Sequence, residues 1–311
     1  MSAEEEATDE VCAYCGKAEI DEIKLKKCAC NLVKYCGVGC QKNHRQQHKK
    51  ACKKRVKEIR DDKLFTQPDE SYLGECPICC LPLSLDANNN TVNSCCCKFI
   101  CLGCDYANKK REMEAALEQK CTYCREPLPD TDEEYDQNLM KRVKADDPVG
   151  MFQMGSVCYN QGDCEGAIQY WTKAAALGNL DAHYNLSVMY REGGEVEKNE
   201  EKEVYHLEEA AIGGHHLARS SLGCYEGNAV RHDIAMRHFI IAAKLGYDDA
   251  LEDVKKGFQR GFVSKEDYAS ALRGHQAAVD ATKSEQREEA YAWFQQNGNK
   301  KSTEGGSRRT L

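Results

Sequence analysis

The chain has 311 residues, 41% of them hydrophobic, 20 cysteines and a net charge of −8. That length suits two or three domains of ordinary size, and the acidic balance disfavours general affinity for nucleic acid, which needs a basic face to displace counterions. No apolar stretch approaches the roughly 20 residues needed to cross a bilayer, so a soluble protein without membrane contact is expected.

Residues 1–11 form an acidic head carrying Glu4, Glu5, Glu6, Asp9 and Glu10, expected to be disordered. The opening MSAEEEATDE has no basic n-region, apolar h-region or cleavage site, which points to a cytoplasmic or nuclear protein with reduced thiols. Seventeen of the cysteines lie between Cys12 and Cys124. The first group reads Cys12-x2-Cys15, Cys28-x-Cys30, Cys36-x3-Cys40 and His48-x3-Cys52. Close pairs of this kind supply tetrahedral zinc with two ligands from one tight turn, and a reducing compartment makes zinc the expected cross-link rather than disulfides. Eight ligands suffice for two ions. His44 lies four residues before His48 and competes for the same role, but His48 has the spacing to Cys52.

Residues 12–52 resemble the MYND zinc finger, through the Tyr35-Cys36-x3-Cys40-Gln41 element and the terminal His48-x3-Cys52. The resemblance implies interleaved sites, with Cys12, Cys15, Cys36 and Cys40 on one ion and Cys28, Cys30, His48 and Cys52 on the other. It also implies peptide ligands. Both sites are full, so structural zinc is expected. The charged stretch 53–71, opening on a basic run from Lys49 to Lys57, is taken as a partly helical linker with a solvated face.

A second cysteine group occupies 72–128: Cys76-x2-Cys79, the run Cys95-Cys96-Cys97, Cys101-x2-Cys104 and Cys121-x2-Cys124. From CPICCLPLSL to CTYCREPL this segment looks like a RING finger. By that resemblance Cys76, Cys79, Cys101 and Cys104 hold one ion. Cys121, Cys124 and two of the central three hold another, with Cys95 and Cys96 as the working pair. Cys80 and one central cysteine are then surplus. About four structural zinc ions per chain are expected. The usual Cys-x-His element is missing, and Lys98 stands where that histidine would fall. The same resemblance nominates Ile78, Arg125 and Pro127 as contacts for a ubiquitin-conjugating enzyme, a partner that such modules hold in a reactive posture. A helix is expected between Asp105 and Lys120, and it offers no Trp for the third usual contact.

After an acidic linker at 129–146, three segments end alike: Ala174-Ala175-Ala176-Leu177-Gly178, Ala210-Ala211-Ile212-Gly213-Gly214 and Ala242-Ala243-Lys244-Leu245-Gly246. The final glycines are expected to take the left-handed C-cap conformation. Ala182, Ala218 and Ala250 follow four residues on, and Leu186, Leu222 and Val254 four further. This pattern resembles the Sel-one-like repeat, a relative of the tetratricopeptide repeat, and implies helix pairs stacked as a solenoid. Repeats with closing helices are placed at 147–295 and a disordered tail at 296–311. Cys158, Cys164 and Cys224 read as packing thiols, and His215, His216, His232 and His238 as surface or packing residues.

The fold class expected is therefore mainly α: two small zinc-stabilised modules followed by an α-helical solenoid of helix-turn-helix repeats. All three modules are recognition folds, with no self-contained active site evident in the sequence. The leading reading is a zinc-binding adaptor for proteins. A RING-type ubiquitin ligase whose repeats select substrate is the alternative.

Overall fold

The computed structural model describes residues 11–20, 23–194 and 196–298, so most of the head and the end of the tail lie outside the described residues. Val11, expected within the disordered head, makes an antiparallel bridge to Ala18. The chain divides into two compact units, Met1–Thr66 and Gln67–Leu311.

The first unit is a hairpin and one long helix. Strands β1 (Lys26–Lys27) and β2 (Lys34–Tyr35) pair antiparallel, Lys26 opposite Tyr35. Cys12 bridges Lys34 alongside them. Helix α1 (Val38–Phe65) is rich in Lys, Arg and Gln, all good helix formers, and stops at an extended Thr66 two residues before Pro68. Its core is four buried side chains, Cys12, Cys28, Cys30 and Tyr35. So small a core needs a cross-link, which metal can provide.

The second unit begins with a short antiparallel pair, β3 (Asn90–Val92) and β4 (Phe99–Cys101), followed by α2 (Leu102–Glu114). The helix expected between Asp105 and Lys120 thus starts earlier and ends sooner. The acidic stretch 129–146, expected as a linker, instead contains α3 (Asp132–Lys144), capped by Thr131, whose hydroxyl accepts from the Glu134 amide. The acidic residues that suggested a linker fall in its first turn, where they favour the helix dipole. Leu139, fully buried on α3, packs with Cys97, Met154 and Val157, so this helix is core rather than spacer.

Seven helices carry the solenoid: α4 (Pro148–Asn160), α5 (Cys164–Ala176), α6 (Leu180–Glu192), α7 (Glu200–Ile212), α8 (His216–Asn228), α9 (His232–Lys244) and α10 (Asp248–Gln259). They pack in pairs, α4 on α5, α6 on α7 and α8 on α9. The repeated Ala-Ala-x-x-Gly has a structural cause. Gly178, Gly214 and Gly246 take φ of 88°, 91° and 100°. Their amides bond back to Ala175, Ala211 and Ala243, and the next amide bonds to Ala174, Ala210 and Ala242, the paired closure of a Schellman motif. Asn179 and His215 then cap the next helix, accepting from the Ala182 and Ala218 amides. One sequence signature thus ends one helix and starts another.

Ala182, Ala218 and Ala250 are each 0% exposed, which lets neighbouring helices approach closely. Cys158 and Cys164 pack against the first repeat's core, while Cys224 is exposed. His215, His216 and His238 are buried packing residues. The closing helices are α11 (Lys265–Ala281) and α12 (Glu285–Gly298). The expected disordered tail therefore begins three residues inside a helix. Helix α12 does not extend the stack but lies against α2.

Candidate metal centres

Five of the eight ligand pairs sit on a tight backbone knuckle built the same way, and the other three lie at or on helices α1 and α2. The residue after the second cysteine turns left-handed: Gly16 at φ 71°, Asn31 at 57°, Cys80 at 56°, Cys97 at 52° and Arg125 at 65°. In four of these knuckles its amide bonds back to the carbonyl of the pair's first cysteine, Cys12, Cys28, Cys76 or Cys121, at 2.9 to 3.0 Å. At Cys97 the amide bonds to Asn93 instead. Such a turn directs both thiols to one side.

The sixteen residues proposed from the sequence fall into four groups of four: Cys12, Cys15, Cys36, Cys40; Cys28, Cys30, His48, Cys52; Cys76, Cys79, Cys101, Cys104; and Cys95, Cys96, Cys121, Cys124. Within each group the ligand atoms lie within 4.8 Å of one another. In chain order the pairs alternate between two groups in both modules, so each module is cross-braced. His48 and Cys52 project from α1 four residues apart, with His48 Nε2 at 3.1 Å from Cys30 Sγ. His44 Nδ1 instead bonds to the Tyr35 hydroxyl at 3.0 Å, so His44 is engaged elsewhere.

Tetrahedral zinc with bonds of about 2.3 Å to sulfur requires sulfurs about 3.8 Å apart. Five of the separations are close to this, Cys15 to Cys36 3.6 Å, Cys36 to Cys40 3.5 Å, Cys28 to Cys52 3.5 Å, Cys79 to Cys101 3.7 Å and Cys96 to Cys121 3.7 Å, and Cys95 to Cys124 is shorter at 3.3 Å. Three groups offer four thiols and one offers three thiols with an imidazole, none with a water-bearing carboxylate. Such donor sets suit a closed structural zinc site. The four clusters accommodate about four structural zinc ions.

One thiol in every group is easier to ionise than an ordinary cysteine. Burial opposes ionisation of Cys12, but the backbone amides of Cys15, Cys36 and Tyr14 outweigh it and bring the thiol down to about 6. The same opposition leaves Cys28 lowered, Cys79 at about 7 and Cys121 at about 7. Their neighbours move the other way. Cys40, beside Cys36, is pushed up to about 12, and burial raises Cys96 to about 12. A metal ion arriving at each group meets one thiol that gives up its proton more readily than an ordinary cysteine, and displaces the remaining protons.

The run Cys95-Cys96-Cys97 is divided by the same knuckle rule. Cys97 is the left-handed residue, and its side chain turns away into the core with Leu139, Met154 and Val157. Cys80 holds the equivalent position in its own knuckle and is exposed. Neither was recognisable as a turn residue by composition; only Gly16 and Asn31 carry that signal openly.

Of the candidate contacts, Ile78 is 43% exposed between Cys76 and Cys79, and Pro127 is exposed where it bridges Lys120. Arg125 is already engaged: its guanidinium bonds to Glu112 at 2.7 Å and to Asn108 at 2.8 Å. Glu112 is 0% exposed and also accepts from the Lys120 amide, so it ties α2 to the last metal loop. Sequence reasoning missed this carboxylate, which carries no motif.

Comparison with known proteins agrees at two places. The family model of the MYND finger matches residues 12–52, and that of the Sel1 repeat matches 148–179, 180–215 and 218–247. No curated protein gives a significant match to the chain. Among solved structures, a Sel1 repeat protein from Oxalobacter formigenes is 25% identical, covering 39% of this chain and 96% of that one, with a TM-score of 0.36. The protective antigen c5321 of uropathogenic Escherichia coli, which displays an SLR fold, is 15% identical, covering 59% of this chain and 54% of that one, with a TM-score of 0.41. Among the described residues no helix is long and apolar enough to cross a membrane. The chain is a mainly helical, zinc-binding protein that carries a MYND finger and Sel1 repeats, two modules of protein interaction.

Proposed function

We propose that the chain works as a cytosolic or nuclear adaptor, whose finger at 12–52 and repeats at 147–295 hold different protein partners, peptides at the finger among them. The observation that carries this reading is a groove of about 370 Å³ on the solenoid, lined by Tyr184, Arg191, Leu217, Ser221 and Tyr225 from α6 and α8 and by Tyr247. Aromatic, apolar and charged groups on adjacent repeats suit a peptide segment rather than a small metabolite. Four closed protein ligands leave the metal no catalytic position, so the ions support surfaces instead of reacting. The test is a groove-filling change, Ser221→Trp. Partners captured by the wild-type chain should be lost while the melting curve is retained, and an unchanged partner set refutes the groove.

A second reading is favoured by one observation, the exposed Ile78 set between two ligands of the second module. In that reading residues 72–128 act as a RING-type finger in a ubiquitin ligase, and the repeats select substrate. Ile78 anchors the conjugating enzyme, and Pro127 borders it. Arg125 would have to exchange Glu112 for ubiquitin, which weakens its candidacy as the clasp. Purified protein with ubiquitin, activating enzyme and a panel of conjugating enzymes decides the matter. Chain formation abolished by Ile78→Ala supports the ligase, and silence of the wild type with every conjugating enzyme leaves the adaptor.

A further inference from the structure

Arg287, on the first turn of α12, reaches the loop that carries Cys79. One guanidinium nitrogen bonds to the carbonyls of Pro82 at 2.6 Å and Thr282 at 2.8 Å. Another bonds to the carbonyl of Leu81 at 3.1 Å and to Cys79 Sγ at 3.4 Å. These partners are three neutral dipoles and one sulfur, with no carboxylate among them. Arg287 is half-buried, and a cation partly withdrawn from water is stabilised by an opposite charge nearby. Four thiolates around a divalent ion carry a net charge of −2, and one of those four is the sulfur Arg287 touches.

The approach is close and has been accommodated. Gly103 lies between Cys101 and Cys104, and a Cβ there would stand 2.9 Å from Arg287 Cγ and 3.0 Å from its Cα and N. Any side chain at Gly103 would therefore push α12 away. Gln286 Nε2 donates to the Gly103 carbonyl at 3.2 Å. Farther along, Trp293 tilts over Tyr106 with ring centres 5.4 Å apart, and Lys110 pairs with Glu289 at 2.8 Å. The first turn of α12 is thus seated on the knuckle and helix start that bear the four ligands, and the remainder of the helix follows α2.

We propose that Arg287 is the positioning residue and counter-charge of the metal site formed by Cys76, Cys79, Cys101 and Cys104. Docking of the closing helix and retention of that ion are then one coupled equilibrium. The loaded site supplies the negative charge that holds Arg287. Arg287 in turn holds the Cys79 loop in its ligating shape and covers it from water. Removing a group that hydrogen-bonds a metal ligand typically costs 10- to 100-fold in metal affinity.

The experiment uses the zinc-loaded full chain. Zinc release to EDTA is timed, the cysteines freed are identified by alkylation and peptide mass spectrometry, and amide exchange is followed across 285–298. Arg287→Ala should release one ion in four at least tenfold faster, exposing Cys76, Cys79, Cys101 and Cys104 first, with α12 losing protection. Arg287→Lys keeps the charge but not the fork, and should fall between. In the wild type, chelation itself should unprotect α12, an arm that needs no variant and survives misfolding of either substitution. Arg287→Ala that loosens α12 yet leaves zinc release unchanged overturns the proposal, as does an α12 equally protected before and after chelation. A wild type that never holds an ion at these four cysteines removes the metal assignment itself, and shows earlier, as a zinc count below four.

Discussion

Loss of one ligand should spread differently from the two cysteine modules. Cys36→Ser and Cys76→Ser each leave a cluster one thiolate short, and structural zinc sites contribute on the order of 10 kcal/mol to folding in isolated finger peptides. That exceeds the entire margin of many small domains, so each variant should unfold its own module. The finger containing Cys36 belongs to the compact unit Met1–Thr66, and its collapse should stop there. Cys76 lies in the unit Gln67–Leu311 together with the repeats. Unfolding around it strips cover from Leu139, Met154 and Val157, which pack on Cys97. It also removes the Tyr72 hydroxyl from Asp181 and leaves Trp293 without Tyr106. Allowing about 1 kcal/mol for each of four partly uncovered side chains and for the one lost hydrogen bond gives about 5 kcal/mol. At about 2–4 °C per kcal/mol for a unit of this size, the repeats should melt about 10–20 °C earlier. Trp171, 3% exposed inside the first repeat, reports that transition, and Trp293→Phe silences the chain's other tryptophan. A Trp171 transition unmoved by Cys76→Ser would refute the integration of the second module into the solenoid. One shifted as far by Cys36→Ser would refute the division into units.

Other outcomes are equally specific. His48→Ala should lower the zinc count by one in native mass spectrometry, whereas His44→Ala should leave it intact, because His44 bonds to Tyr35. Glu112→Ala removes the carboxylate partner of Arg125 and the acceptor of the Lys120 amide and should cost about 2–4 kcal/mol, read by denaturant melts, with the ion at Cys95, Cys96, Cys121 and Cys124 released faster. Burial, then the neighbouring His215, depresses His216 to about 4 against the opposing pull of Asp181, while burial, Arg219 and Arg237 depress His238 to about 3. Both are neutral in the fold, and the unfolded chain takes up protons first. The stability they contribute is therefore complete above about pH 6.5 and is lost as pH falls from there toward 4. The Trp171 melting temperature should drop across that window, less steeply in His216→Asn, and equal slopes would refute the contribution of His216.

Local chemistry was easiest to read from the sequence. A Cys-x2-Cys pair announces itself because two ligands must come from one turn, and Ala-Ala-x-x-Gly because the alanine carbonyls and the left-handed glycine close the same helix end. The mainly helical class and the zinc both follow from such short-range patterns. What lay hidden depends on distant partners or on shared backbone roles. Cys97 looked like a third candidate ligand, and only its φ of 52° removes it to the repeat core. The stretch 129–146 read as a spacer by its acidity, yet Leu139 buries it. Nothing near Arg287 or Glu112 in the sequence hints at a metal loop, since their partners are brought together only by the fold.

The contact between Arg287 and Cys79 joins residues 208 positions apart. During synthesis the cysteine loop leaves the ribosome first, and at 5–20 residues per second the arginine follows about 10–40 s later. A nascent module that acquires its metal in that interval does so with one flank bare. Premature termination between Cys124 and α12 would yield a chain with every ligand present and its last metal-loop contact missing. Quality control that senses exposed thiolates would thereby read, at residue 79, whether the closing helix α12 has been made.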